Sequence, residues 1–346
     1  MSVPSIYHTF QRYRTLQTDK ITTLPIVILM PHSACNCKCV MCDIWKGNHN
    51  LRQLTEKDIE GLMDTLRKLG TRQVLMSGGE ALLNPNFFRF CEILKKEAIK
   101  ITLLSTGLSL KRHAAELVKW VDDIIVSLDG DEALHDRIRN IPGAFRKLEE
   151  GIQAVRAIDE NFPITARTVI HRLNFRNWID IIRAAAAIGI DRISFLPADV
   201  SSEAFNRPTT WEEPRQQEIL PSREELPQLL DVIQRLIRDH KVYFDAGFIA
   251  ESPEKINKIG AYYTASYGLN PYPYKKCNAP WVSTVVEADG TVRPCFFLPP
   301  LGNIHKDPLG TILNSRESVH FRKTLDMGKN STCIKCVCYL NLSPLA

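Results

Sequence analysis

The sequence lacks several features that would narrow its class at once. No apolar run approaches the roughly 18 residues of a membrane helix. The N-terminus MSVPSIYHTFQRYRTLQTDK has neither an apolar core nor a small-residue cleavage site, which excludes a secretory signal. The formal net charge is only +5, and no block of five or more basic residues offers a nucleic-acid stripe. Internal repeats and low-complexity tracts are missing, and a hydrophobic fraction of 44% with 24% charged residues excludes a disordered or fibrous chain. The expectation is a cytoplasmic globular protein without nucleic-acid or membrane partners, in a compartment where thiols stay reduced.

Cysteine is what the sequence has, in two groups. ACNCKCVMC holds Cys35, Cys37, Cys39 and Cys42; Cys277, Cys295, Cys333, Cys336 and Cys338 lie near the C-terminus, and Cys91 stands alone between. Clustered thiols in a reducing compartment point to metal rather than disulfides.

Between residues 24 and 197 the runs LPIVILM, RQVLM, KITLLS, DDIIVSLD, PITARTVI and RISFLP alternate with amphipathic segments such as EKDIEGLMDTLRKLG. This predicts an α/β fold, a mostly parallel sheet of about six βα units. Thr55 with Asp58 three residues on, the stripe Ile59, Leu62, Met63 and Leu66, and Gly70 as a stop predict a helix over 55–69. The pattern lapses over 198–220, as in a functional loop or lid, before a helix over 222–239. WVSTVVEADGTVRPCFF reads as a hairpin turning at Ala288-Asp289-Gly290. The expected divisions are an extension over 1–23, a core over 24–240, a linker with helix over 241–274, and a small cysteine-bearing domain of hairpin plus helix over 275–346.

Cys35, Cys39 and Cys42 fall just after the first strand, at the sheet edge where parallel α/β proteins bind ligands. Structural zinc favours two separated cysteine pairs, whereas iron–sulfur clusters accept closely spaced thiolates, and three ligands leave a reactive position open. The spacing matches the CxxxCxxC motif of the radical S-adenosylmethionine (SAM) enzymes, and the resemblance continues in order. SGGEALL, with Gly78, Gly79 and Glu80, is similar to the GGEP segment that contacts the cofactor's amino group, with Ala81 in place of proline. LSTGL holds Ser105 and Thr106 where the family often has TNG. VSLDG supplies Ser127 and Asp129, which in relatives lie near the ribose. HDRIRNIPGAF supplies Arg139 for the cofactor carboxylate, with Asn140 where glycine is common, and Met41 stands where relatives pack a residue near the adenine. The resemblance implies a partial (β/α)6 TIM-like barrel whose three thiolates hold a 4Fe-4S cluster. The fourth iron binds S-adenosyl-L-methionine, which is cleaved to a 5'-deoxyadenosyl radical.

Cys277, Cys295, Cys333 and Cys336 resemble Twitch, the shorter form of the SPASM auxiliary-cluster domain, and imply a second, auxiliary 4Fe-4S cluster. Spacing alone leaves zinc open there. Cys338 reads as an alternative ligand or a free thiol, Cys37 and Cys91 as incidental. The implied reaction is hydrogen abstraction followed by net oxidation or cross-linking, with a reductant such as flavodoxin or ferredoxin. Only some 23 residues precede the first strand. That is too few for a leader-binding domain, which favours a small-molecule substrate or a peptide presented by a partner. Glu203, Trp211, Glu212, Glu213, Tyr262, Tyr263 and Tyr267 are candidate substrate contacts; no acid or base stands out. The competing class is a non-catalytic iron–sulfur or zinc-binding electron-transfer module.

Overall fold

The computed structural model describes residues 6–207 and 209–343. Helix α1 (Ile6–Thr18) precedes an alternating series: β1 (Ile26–Leu29), α2 (Glu56–Lys68), β2 (Gln73–Met76), α3 (Phe87–Lys95), β3 (Lys100–Ser105), α4 (Leu110–Trp120) and β4 (Asp123–Ser127). It continues through α5 (Glu132–Arg139), α6 (Ala144–Arg156), β5 (Ile164–Ile170), α7 (Trp178–Ala187) and β6 (Arg192–Pro197). Strands β1 to β6 pair in sequence order, all parallel. This is the expected α/β wall of a partial barrel.

The expected local signals operate. Thr55 caps α2, and Asp58 Oδ2 accepts from the Thr55 N–H at 2.7 Å while Ile59, Leu62, Met63 and Leu66 are buried. Along β5 burial alternates: Ile164, Ala166, Thr168 and Ile170 are buried, whereas Thr165, Arg167 and Val169 on the other face are half-buried. Register places Ser127 of β4 and Ser194 of β6 beside Arg167, so these three share that second face.

Segment 198–220 is not wholly irregular, because Glu213–Ile219 forms α8. Its only buried residue is Ile219, so it shows no apolar stripe in the sequence. A Ser222–Glu225 capping box then opens α9 (Leu226–Asp239), followed by α10 (Lys241–Asp245) and α11 (Pro253–Ser266).

The C-terminal part comprises α12 (Ala279–Val282), β7 (Ser283–Val286), β8 (Thr291–Arg293), β9 (Gly302–Asn303), α13 (Leu309–Asn314), α14 (Arg316–Thr324) and α15 (Ser331–Lys335). The hairpin forms as expected, with Val286 opposite Val292 and Gly290 at φ +84°. It is not an isolated ribbon: β7 also pairs in parallel with β1, Ile26 beside Ser283 through Leu29 beside Val286, giving one sheet of nine strands among the described residues. All four β7 residues are buried, and a strand buried on both faces belongs inside a sheet. The chain's start is tied to this part, since Trp281 Nε1 donates to Asp19 Oδ1 at 2.8 Å and Arg322 Nε to the Asp19 carbonyl at 2.6 Å. Among the described residues no helix is long and apolar enough to cross a membrane.

Candidate active site and metal centres

The first cysteine group occupies the loop after β1. The Lys38 and Val40 N–H groups donate to the Arg139 and Ile138 carbonyls, each at 3.0 Å, which docks the loop on the end of α5. Asn48 brackets Cys35, accepting from its N–H at 3.0 Å and donating to its carbonyl at 2.9 Å. Donors also converge on sulfur: Cys37 N–H lies 3.4 Å from Cys35 Sγ, Ile44 N–H 3.5 Å from Cys42 Sγ, and Arg139 Nη1 3.4 Å from Cys39 Sγ. Such donors favour thiolates. The Cys37 hydrogen bond lowers the Cys39 thiol to about 6, and burial pushes Cys42 up to about 12. Cys37 itself is buried and hydrogen-bonded to both Cys35 and Cys39. It is therefore packed among the motif cysteines, which spacing alone did not reveal.

The glycines after β2 make room for this loop. A Cβ on Gly79 would lie 2.1 Å from the Ala34 carbonyl oxygen, and the neighbouring Glu80 N–H donates to that oxygen at 2.9 Å. Gly78 has φ +112°, a conformation side chains rarely adopt. The turn after β2 thus packs closely on the backbone of the cysteine loop.

Glu80 is completely buried. Its carboxylate accepts from Ser105 Oγ at 3.0 Å, from the Thr106 N–H at 2.8 Å, from Thr106 Oγ1 at 2.7 Å and from the Leu82 N–H at 3.3 Å. Burial raises its pKa against these four donors. Thr106, which stands where relatives carry an amide, keeps a hydrogen-bonding group against Glu80 and lies 2.9 Å from Asn36 Oδ1 in the cysteine loop. Position 81 lacks the usual proline, yet Glu80 caps the 3-10 turn Ala81–Leu83 directly.

Asp129 and Arg139 form a buried ion pair. Burial raises the Asp129 carboxyl, opposed by the guanidinium and by the Val169 N–H. Among the described residues Arg139 Nε has no hydrogen-bond partner, so one donor is free. Asn140 closes α5 at φ +53°, a left-handed position that asparagine tolerates and glycine would fill. Two histidines missed in the sequence flank this pair. His135 Nδ1 accepts from the Asp129 N–H at 3.2 Å and His171 Nδ1 from the Leu173 N–H at 3.3 Å. Burial lowers both to about 3 and keeps them neutral. Ser127 ends β4 half-buried beside Arg167, whose Nε donates to Ser194 Oγ at 3.1 Å.

Segment 198–220, expected as a functional loop or lid, touches both cysteine-bearing parts of the chain. Trp211 Nε1 donates to Asp43 Oδ2 at 2.7 Å, and its ring lies between the Arg207 and Arg215 guanidiniums at 3.9 and 4.6 Å. Arg215 also reaches the Val40 carbonyl. At the other end Phe205 packs on Phe296, ring centres 5.0 Å apart, just beyond Cys295. Trp211 is buried and thus serves the lid's attachment, and Tyr262 and Tyr263 are buried with hydroxyls on the Ala198 backbone. Tyr267 donates to the Pro221 carbonyl at 2.8 Å, Glu212 precedes α8, and Glu203 and Glu213 are exposed.

The second group gathers Cys277, Cys295, Cys333, Cys336 and Cys338. Cys295 lies within electrostatic range of Cys277 and Cys333, Cys336 of Cys295 and Cys338, and Cys338 of Cys277 and of Arg167 on β5. Asn330 caps α15 by accepting from the Cys333 N–H at 3.0 Å. Asn278 pins the tail through Leu340 and Leu342, at 2.7 to 2.9 Å. Burial pushes Cys295 up to about 12 and Cys333 to about 11. Cys91 is buried in α3, away from both groups in sequence.

Among the described residues no three His, Cys, Asp or Glu side chains converge on one point as a single metal ion requires. Closely spaced cysteine thiolates are the ligands that an iron–sulfur cluster takes. The N–H donors on Cys35, Cys39 and Cys42 fit the same group.

Comparison with known proteins accords with this geometry. The family model for the radical SAM superfamily matches residues 29–198, and that for the SPASM iron–sulfur cluster-binding domain matches residues 277–337. The chain is 25% identical over 333 residues to the AdoMet-dependent heme synthase of Methanosarcina barkeri, covering 92% of this chain and 91% of that one. It is 23% identical over 291 residues to the antilisterial bacteriocin subtilosin biosynthesis protein AlbA of Bacillus subtilis, covering 81% of this chain and 57% of the relative. Streptococcus suis SuiB bound to precursor peptide SuiA shares the fold with a TM-score of 0.62 at 14% identity, over 96% of this chain and 72% of that one. With two family models matching in the expected order, the chain belongs to the radical SAM superfamily, as an enzyme with a C-terminal SPASM-type domain that uses S-adenosyl-L-methionine and iron–sulfur clusters.

Proposed function

We propose that the enzyme removes a hydrogen atom from a peptide and completes a net oxidation or cross-link of it. When bound, the cofactors supply a one-electron cleavage of S-adenosyl-L-methionine that generates the abstracting carbon radical, and an auxiliary cluster to accept the substrate's second electron. The chain's own part is binding and orientation. Cys35, Cys39 and Cys42 hold the first cluster. Gly78, Gly79, Glu80 and Ser105 frame the cofactor's amino end, Ser127 and Asp129 its ribose, and Arg139 offers its free Nε to the carboxylate. Cys277, Cys295, Cys333 and Cys336 hold the auxiliary cluster, and a flavodoxin or ferredoxin supplies the electron.

The observation that carries this reading is that both cysteine groups border one stretch of barrel wall. Cys39 contacts Arg139, which pairs with Asp129 at the end of β4, while Cys338 is in electrostatic range of Arg167, beside Ser127 in register. A peptide substrate is supported by SuiB, solved with its precursor peptide, and by AlbA. A tetrapyrrole is the second reading, favoured by the heme synthase because it aligns over nearly all of both chains.

The test is anaerobic reconstitution, an iron count, and incubation with S-adenosyl-L-methionine and dithionite. About eight irons per chain and 5'-deoxyadenosine, lost on Cys35→Ala but retained on Cys277→Ala, are expected. A loaded, reducible protein that forms no 5'-deoxyadenosine would refute the reaction. Stimulation of 5'-deoxyadenosine by an iron porphyrin and not by peptides would select the second reading.

A further inference from the structure

Lys275 stands two residues before Cys277, and no cysteine motif accounts for it. Its half-buried ammonium donates to the Ile334 carbonyl at 3.2 Å and to the Cys336 carbonyl, at the end of α15 where helical carbonyls are left without partners. It also stands 5.7 Å from the centre of the Tyr262 ring, and Tyr262 is itself held by the Ala198 carbonyl beyond β6. One side chain therefore joins the irregular segment entering the auxiliary site, the turn carrying Cys333 and Cys336, and helix α11.

The charge has no carboxylate partner: among the described residues no ion pair forms at Lys275, and its electrostatic neighbours are the cysteines Cys336, Cys277 and Cys333, with Lys258 as a like charge. Four thiolates in one half-buried place are costly unless a cation offsets them. A fixed positive charge also makes the addition of an electron to such a site easier, because cluster potential follows net charge and hydrogen bonding around the sulfurs.

We propose that Lys275 is a positioning residue that provides the counter-charge of the auxiliary cluster and sets its potential. The inference rests on the assignment of Cys277, Cys295, Cys333 and Cys336 as its ligands. The ammonium holds the Cys333–Cys336 turn against the irregular segment carrying Cys277 and raises the affinity of that site for the substrate's electron.

The experiment uses the full chain with Cys35, Cys39 and Cys42 changed to Ala, so that only the auxiliary cluster is loaded, and adds Lys275→Met or Lys275→Arg. Iron is counted, and the midpoint potential is read by a redox titration followed by electron paramagnetic resonance. Lys275→Met is expected to keep the iron and shift the potential negative, with Lys275→Arg restoring most of the shift. An unchanged potential in Lys275→Met overturns the proposal. So does iron loss in both Lys275 variants, which would reduce the residue to a structural tether. Absence of iron from the parent with Lys275 intact would instead refute the ligand assignment, and the inference would fall with it.

Discussion

Arg139 couples Cys39 to Asp129, donating from Nη1 to the Cys39 sulfur at 3.4 Å while Nη2 pairs with the buried carboxylate. Only the planar fork of a guanidinium serves both partners at once. Arg139→Lys is expected to lose one of the two contacts and lower 5'-deoxyadenosine formation at least tenfold, measured by chromatography at equal iron loading. Asp129→Ala leaves the arginine charge buried and unpaired, at about 3–5 kcal/mol of stability. Urea unfolding of the protein before reconstitution checks this, and an unchanged midpoint would show that the pair contributes little.

Gly79→Ala tests the packing of the cysteine loop. The added methyl would sit 2.1 Å from a backbone oxygen, and backbone cannot swing aside as a side chain can. The loop must shift, so the variant is expected to lose the iron of the first cluster, about four atoms of eight, and all 5'-deoxyadenosine formation. The auxiliary iron should remain. Retention of full iron and activity would mean that the loop and the β2 turn move apart freely.

Much of this was legible beforehand for physical reasons. Strand and helix periodicity placed β1 to β6 because parallel strands and their covering helices repeat strongly. Thr55, Asp58 and Gly70 bounded α2 because capping is local. The cysteine spacing and the SGGE and SLDG turns were readable because each lies within a few residues. What stayed hidden depends on long-range contact. The parallel pairing of β7 with β1 joins residues 26–29 to 283–286, and no local pattern announces it. His135 and His171 became notable only when burial and the Arg139 charge were known. Tyr262 and Tyr263 look alike in sequence whether they line a site or fill a core, and here they fill a core.

His135 and His171 also impose a pH dependence. Their pKa falls from 6.5 in an exposed chain to about 3 in the fold, so the unfolded state binds protons that the folded state refuses. Stability from each is complete above pH 6.5 and declines as pH falls from there toward 3, by about 2 kcal/mol each at pH 5. Asp129 and Glu80, raised by burial, act in the opposite sense, so the comparison must isolate one group. Urea unfolding of the protein before reconstitution at pH 7 and pH 5 should show a smaller loss for His171→Gln than for the parent. Equal losses would mean that His171 is hydrated and titrates normally.

The lid's attachment is separable from the cluster ligands. Trp211→Phe keeps an aromatic ring between Arg207 and Arg215 but removes the 2.7 Å donor to Asp43, immediately after Cys42. Asp43 retains its ion pair with Lys46 at 2.8 Å, so the carboxylate is not orphaned, and a hydrogen bond to a charged group contributes about 1.5–3 kcal/mol. That exceeds RT several-fold and is enough to raise the open fraction of the lid tenfold or more. Hydrogen exchange and limited proteolysis should quicken over 198–220 while iron content holds. Phe205→Ala, at the far end on Phe296, should loosen the same segment without touching Asp43. If Trp211→Phe leaves exchange unchanged while Phe205→Ala accelerates it, the lid is held from the auxiliary side alone and the contact with the cysteine loop follows from closure without causing it.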